Sequence, residues 1–110
     1  MAKLERTIHG EFSQILNKIV SGVINGSASA TLEESSDYSY GNVRCSVRVF
    51  ERYSFFGGNR VSMNVTLFQA QKGTVHLTAI TSGGSQAMFF KINTLGEETF
   101  METLSDILEE

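Results

Sequence analysis

Val43-Arg44-Cys45-Ser46-Val47-Arg48-Val49-Phe50-Glu51-Arg52 alternates between two chemistries at every residue, and a period of two marks a β-strand. Val43, Cys45, Val47 and Val49 share one side, with Arg44, Ser46, Arg48, Phe50 and Arg52 on the other. The expectation is that the valine side faces the core and the arginine side faces water. After Phe56-Gly57-Gly58-Asn59 the alternation resumes, with Val61, Met63, Val65 and Leu67 against Arg60, Ser62, Asn64, Thr66 and Phe68. The two strands therefore read as a hairpin. Gln71-Lys72-Gly73 turns the chain into Val75, Leu77 and Ala79, set against His76, Thr78 and Ile80, until Thr81-Ser82-Gly83-Gly84-Ser85 stops it.

Working upstream, Ala28, Ala30 and Leu32 suggest a short strand, and the polar run Glu33-Glu34-Ser35-Ser36-Asp37 a loop or irregular edge. Phe12, Ile15, Leu16, Ile19, Val20, Val23 and Ile24 recur at three and four residues, which predicts a helix over Glu11 to Ile24. Asn25-Gly26 follows with residues that tolerate a left-handed helix end. Leu4, Arg6 and Ile8 alternate with their neighbours as a short first strand. Downstream, Thr94 to Glu97 has the form of a capping box and predicts a second helix starting there, with Phe100, Met101, Leu104, Ile107 and Leu108 as its apolar stripe. Residues 87–92 fit either a further strand or an extended connection. The expected fold is α+β in two layers: an antiparallel meander with both helices on one face, in β-α-β4-α order. That order is similar to TATA-binding-protein-like folds and to a shortened helix-grip fold, a likeness of plan that carries no function.

The 110 residues, 41% hydrophobic, 19% charged and without proline, make one domain over residues 1–110 with enough surface to bury its own core. The single cysteine excludes an internal disulfide and a multi-thiolate metal site, and it suits a reducing compartment. No apolar run approaches the ~18 residues of a membrane span, and the start of the chain is charged, so the expectation is a cytoplasmic protein without a membrane partner. The net charge of −3 conceals a division: residues 1–37, 38–93 and 94–110 carry −2, +5 and −6. The sheet is basic and the final helix acidic.

Val43-Arg44-Cys45 through Glu51-Arg52-Tyr53, Gly57-Gly58-Asn59-Arg60-Val61-Ser62, and Ala79-Ile80-Thr81-Ser82-Gly83-Gly84-Ser85-Gln86 running into Phe89-Phe90-Lys91-Ile92-Asn93-Thr94 resemble a family of short uncharacterised bacterial proteins. The resemblance spans nearly the whole chain. It implies a bacterial, cytoplasmic protein and assigns no activity, cofactor or catalytic residue.

Arg44, Arg48 and Arg52 share a face that the expected fold leaves open, with Arg60 on the neighbouring strand and His76 beyond it. Such guanidinium groups could grip a small anion, or the face could pair with a second copy through Phe50, Phe68 and Ile80; plain solvation of a wet sheet face would give the same pattern. In a meander, Gly57-Gly58-Asn59 and Ser82-Gly83-Gly84-Ser85 meet at one end beside Asn25-Gly26-Ser27, where Arg52 and Arg60 flank exposed amides. An anion could sit there, although tight turns also demand these residues. The chain carries no nucleic-acid string, no carboxylate placed to orient His76, and no metal cluster around His9 or His76. Glu33-Glu34 and Asp37 could meet a cation, but a polar turn needs none. Cys45 reads as a core thiol. These absences favour a non-enzymatic binding or interaction module, homodimeric and without cofactor or metal. The alternative is a helix-grip pocket for a small apolar ligand, lined by Phe89, Phe90 and Phe100.

Overall fold

The computed structural model describes residues 1–27, 29–54, 59–83 and 90–109, with side chains described for all of these except 54, 59 and 90–96. The elements run β1 (Ala2–His9), α1 (Phe12–Gly26), β2 (Thr31–Tyr40), β3 (Val43–Ser54), β4 (Asn59–Gln71), β5 (Thr74–Gly83) and α2 (Phe90–Leu108). All strand pairs are antiparallel in one sheet of order β1-β5-β4-β3-β2, so the fold is α+β in the expected element order. Strands of 12 and 13 residues at ~3.3 Å per residue set the long axis of a molecule measuring 47 × 24 × 20 Å. No described helix is long and apolar enough to cross a membrane.

The register decides which residues are inside. On β4, Val61, Met63, Val65 and Leu67 are buried, and β5 pairs with them through Ala79 and Leu77. On β3 the partners of that row are Arg52, Phe50, Arg48 and Ser46. Phe50 is fully buried and Ser46 nearly so, whereas Val43 is 39% exposed. The expected parity of β3 is thus reversed: the arginine side lies under the helices, and the valine side, Cys45 included, faces away. Phe50 is a core residue and not part of an open face.

The helices close the inner face as their spacing dictates. α1 buries Phe12, Leu16, Ile19 and Val23, and α2 buries Phe100, Met101, Leu104 and Ile107. Glu11 caps α1, its carboxylate accepting from the Gln14 N–H at 2.6 Å. That bond holds the Glu11 carboxyl below its ordinary value, and its charge suits the helix dipole. At the other end Ser27 is extended and Gly26 has no positive φ, so the left-handed cap is absent. Instead, a Cβ built on Gly22 would lie 2.7 Å from Ile107 Cδ1, and one on Gly26 would lie 3.0 Å from Thr103 Cγ2. Both glycines serve the close approach of α1 to α2.

α2 begins at Phe90, which places Thr94 and Glu97 inside the helix rather than at its cap. Of the undecided segment 87–92, residues 90–92 are helical and 87–89 lie outside the described residues. The buried Glu97 carboxylate turns instead to the sheet, with Oε1 accepting from the Gly83 N–H at 3.1 Å. The Met1 ammonium lies 2.7 Å from Oε2, an ion pair by distance outside hydrogen-bond geometry, and Oε2 has no other partner among the described residues.

Of the two readings of Glu33 to Asp37 the irregular edge holds, for the run is the middle of β2, a ten-residue edge strand exposed throughout. A register shift between Leu32 and Glu34 breaks its ladder, and its acidic side chains suit an edge that must not recruit strands.

Candidate functional site

The three β3 arginines have structural occupations under the helices. The Arg44 guanidinium stacks 4.3 Å above the Phe12 ring and donates to Ser13 Oγ at 2.9 Å. Arg52 stacks 4.5 Å over Phe100, and its partial burial lowers its pKa without discharging it. Arg48 grips Asp37 through both Nη atoms, at 3.0 and 3.2 Å, while Ser46 Oγ donates to the same carboxylate at 2.6 Å. Their stems wall the core and their heads meet its rim.

Ser46 and then Arg48 hold the Asp37 carboxyl below its ordinary value. A lowered folded pKa gives stability that is present above the unfolded value near ~3.9 and lost as pH falls through the folded one. Asp37 is 57% exposed, so the pair contributes below about 1 kcal/mol. Urea titrations are expected to show the wild type ahead of Asp37→Asn at pH 7, with the gap closing between about pH 5 and pH 2. A gap that persists at pH 2 contradicts the assignment.

Arg60 does lie on the opposite face, pairing with Glu51 at 3.2 Å, and does not share a face with Arg44, Arg48 or Arg52. His76 lies there too, its Nδ1 3.2 Å from Thr7 Oγ1, beside Phe68 rather than among arginines. Arg52, Arg60, Ser82 and Gly83 do gather at one sheet end, where the Ser62 and Ser82 hydroxyls are 2.9 Å apart. Gly57, Gly58, Gly84 and Ser85 lie outside the described residues, as does Phe89; Asn59 opens β4 opposite Ser54. Phe100 is fully buried in the core. No group of three metal-ligating side chains occurs among the described residues.

On the face away from the helices the sequence reading placed Phe68 and Ile80, and it missed the tyrosines and Val43 that join them. Tyr38, Tyr40, Val43, Tyr53, Phe68 and Ile80 are exposed and stand on the side of the sheet away from the helices, whereas Leu32, as exposed as Val43, lies on the helix side opposite Phe50. The register sets Tyr38, Phe68 and Ile80 in rows that cross all five strands. Tyr38-Cys45-Phe68-His76-Thr7 is one; Glu34-Val49-Asn64-Ile80-Lys3 is another.

Across residues 1–110 the chain matches the model of a family described as a family of unknown function, DUF6054. The chain belongs to this family. No curated protein and no solved structure matches it. The DUF6054 match confirms the resemblance read from the strings, and it leaves the chemistry to the geometry.

At the opposite end of the sheet, a cleft of about 270 Å³ opens where the β1–α1, β2–β3 and β4–β5 connections meet. Gly10, Glu11, Asn42, Arg44, Gln69 and Lys72 are among the residues lining it. Gly41 and Gly73, both at positive φ, leave its rim open, since a Cβ on either would meet nothing within 4 Å. Gly10 N–H donates to Gly73 O at 3.0 Å, and Gln69 Nε2 to Asn42 O at 2.7 Å, tying the three connections together.

Proposed function

We propose that this protein is a non-enzymatic interaction module whose helix-free sheet face docks on a second copy of itself. The observation that carries the reading is the gathering of Tyr38, Tyr40, Val43, Phe68 and Ile80 on the one sheet face no helix covers. Self-complementarity selects the occupant. β4 is the middle of the five strands. A two-fold axis along it sets β1 of one copy over β2 of the other, and β5 over β3. Lys3 then meets Glu34, Ile80 meets Val49, and Phe68 meets its own counterpart. Opposite charges at the two ends of one row are what such an axis requires. From strand spacing and rise the face measures about 600 Å² per copy, so a pair buries about 1,200 Å², the lower end of stable interfaces.

Sedimentation velocity at micromolar concentration is expected to give twice the 12.1 kDa chain mass. Phe68→Lys sets two charges against each other at the axis and is expected to give a monomer of unchanged circular dichroism. Cys45, in the row of Phe68, supplies a second reading: its alkylation should slow as wild-type concentration rises and stay constant in the variant. A monomeric wild type, or a dimer indifferent to both Phe68→Lys and Ile80→Lys, overturns the proposal.

A further inference from the structure

We propose that the cleft between the β1–α1, β2–β3 and β4–β5 connections binds a small α-amino acid as its zwitterion. The inference concerns a different part of the molecule from the docking face and does not depend on it.

The starting point is Gln69, a polar residue only 4% exposed. Its Nε2 is spent on Asn42 O, and its Oε1 has no hydrogen-bond partner among the described residues. That oxygen is not among the buried atoms left unpaired, so it meets the water of the cleft, and a ligand N–H can take the water's place. The register shift between Phe68 and Gln71 interrupts the β4–β5 ladder at this residue, and such bulges re-aim side chains toward sites.

Around that acceptor the cleft carries both signs of charge. Arg44 has one of its five N–H donors bonded to Ser13, and its stacking on Phe12 fixes the plane of the rest. Lys72 lines the same cleft with no ion-pair partner among the described residues. These two cations suit a carboxylate. Gln69 Oε1 and the Glu11 carboxylate suit an ammonium on the adjacent carbon. Glu11 disfavours a bare anion such as phosphate. A volume of about 270 Å³ holds about nine waters at ~30 Å³ each, room for a ligand of about ten heavy atoms.

The test is a ¹⁵N-detected titration of the whole chain with L-serine, and with acetate as the probe that lacks the ammonium. Expected are saturable shifts of the Gly41, Asn42 and Gly73 amides with L-serine. Acetate should bind at least tenfold more weakly. Lys72→Ala, a change at an exposed turn residue, should weaken serine at least tenfold without altering the spectrum elsewhere. Gln69→Met should do the same while leaving Arg44 in place. Shifts that stay linear to about 20 mM serine overturn the proposal, because that lies above any millimolar Kd. Equal affinity for acetate, or indifference to both substitutions, also overturns it. The oligomeric state is unaffected by any of these results, so the two proposals fail separately.

Discussion

Phe50→Ala is expected to destabilise the protein by about 3–5 kcal/mol, the loss of a fully buried aromatic together with the cavity it leaves. Phe50 sits on β3 opposite Met63 of β4, itself fully buried, and opposite Leu32 of β2. Its chain neighbour Val49 faces away from the helices, and Val49→Thr is expected to cost less than about 1 kcal/mol. Urea unfolding of the two variants reads the parity of β3 directly. Where the loss would leave too little folded Phe50→Ala to measure, Phe50→Leu should still cost more than Val49→Thr. A larger cost at Val49 than at Phe50 would mean that the arginines face water after all.

Gly22→Val is expected to cost about 2 kcal/mol or more. A helix interior ordinarily gains from losing a glycine, by about 1 kcal/mol for alanine. Here the new Cβ meets Cδ1 and Cγ1 of Ile107 at 2.7 Å and Cγ2 at 3.0 Å, and a contact with both branches cannot be relieved by one rotation. Either α2 moves outward, or Ile107 abandons the core. Ile107→Ala should therefore rescue part of the loss, so that the double variant is more stable than the two single costs predict. Additive costs in thermal or urea unfolding would show that the helices do not meet at Gly22.

Element existence was legible wherever one face was buried and the other wet. The stripes of α1 and α2 and the alternation of β4 and β5 carry that contrast, and their buried hydrophobic residues are among those their spacing names, although buried Gln69, Thr81 and Glu97 are not. β3 defeated the same logic because both its faces are half-buried. Its arginines lie along the core with their heads on Phe12, Asp37 and Phe100, while its valines line a face that no helix covers. The arithmetic of the hairpin was the missing signal. With Ser54 opposite Asn59, even positions of β3 pair with odd positions of β4, so Val47 and Val61 cannot share a side. Hairpin length fixes that parity, and composition does not.

β2 was only half read, as a short strand and then a loop or irregular edge, for the opposite reason. All ten of its residues are exposed, so neither period nor hydropathy marks it. Tyr38 and Tyr40 alternating toward the Gly41 turn were the remaining trace. The capping-box reading of Thr94 and Glu97 failed because the same four residues occur within a longer helix, where Glu97 is needed by the Gly83 amide. The cleft escaped notice because its parts are scattered along the chain at three turns, and only the folded sheet brings Arg44, Gln69 and Lys72 together.

The exposure of β2 has a dynamic consequence. With none of its residues buried, the strand is held by its ladder to β3 and by the Asp37 contacts to Ser46 and Arg48. It can peel away while the other four strands and both helices stay packed. Its amides thus belong to a separate cooperative unit, opening at a fraction of the global unfolding free energy. Each such opening bares the outer edge of β3, so the rim of the sheet is where another chain could exchange a strand without the rest of the molecule unfolding.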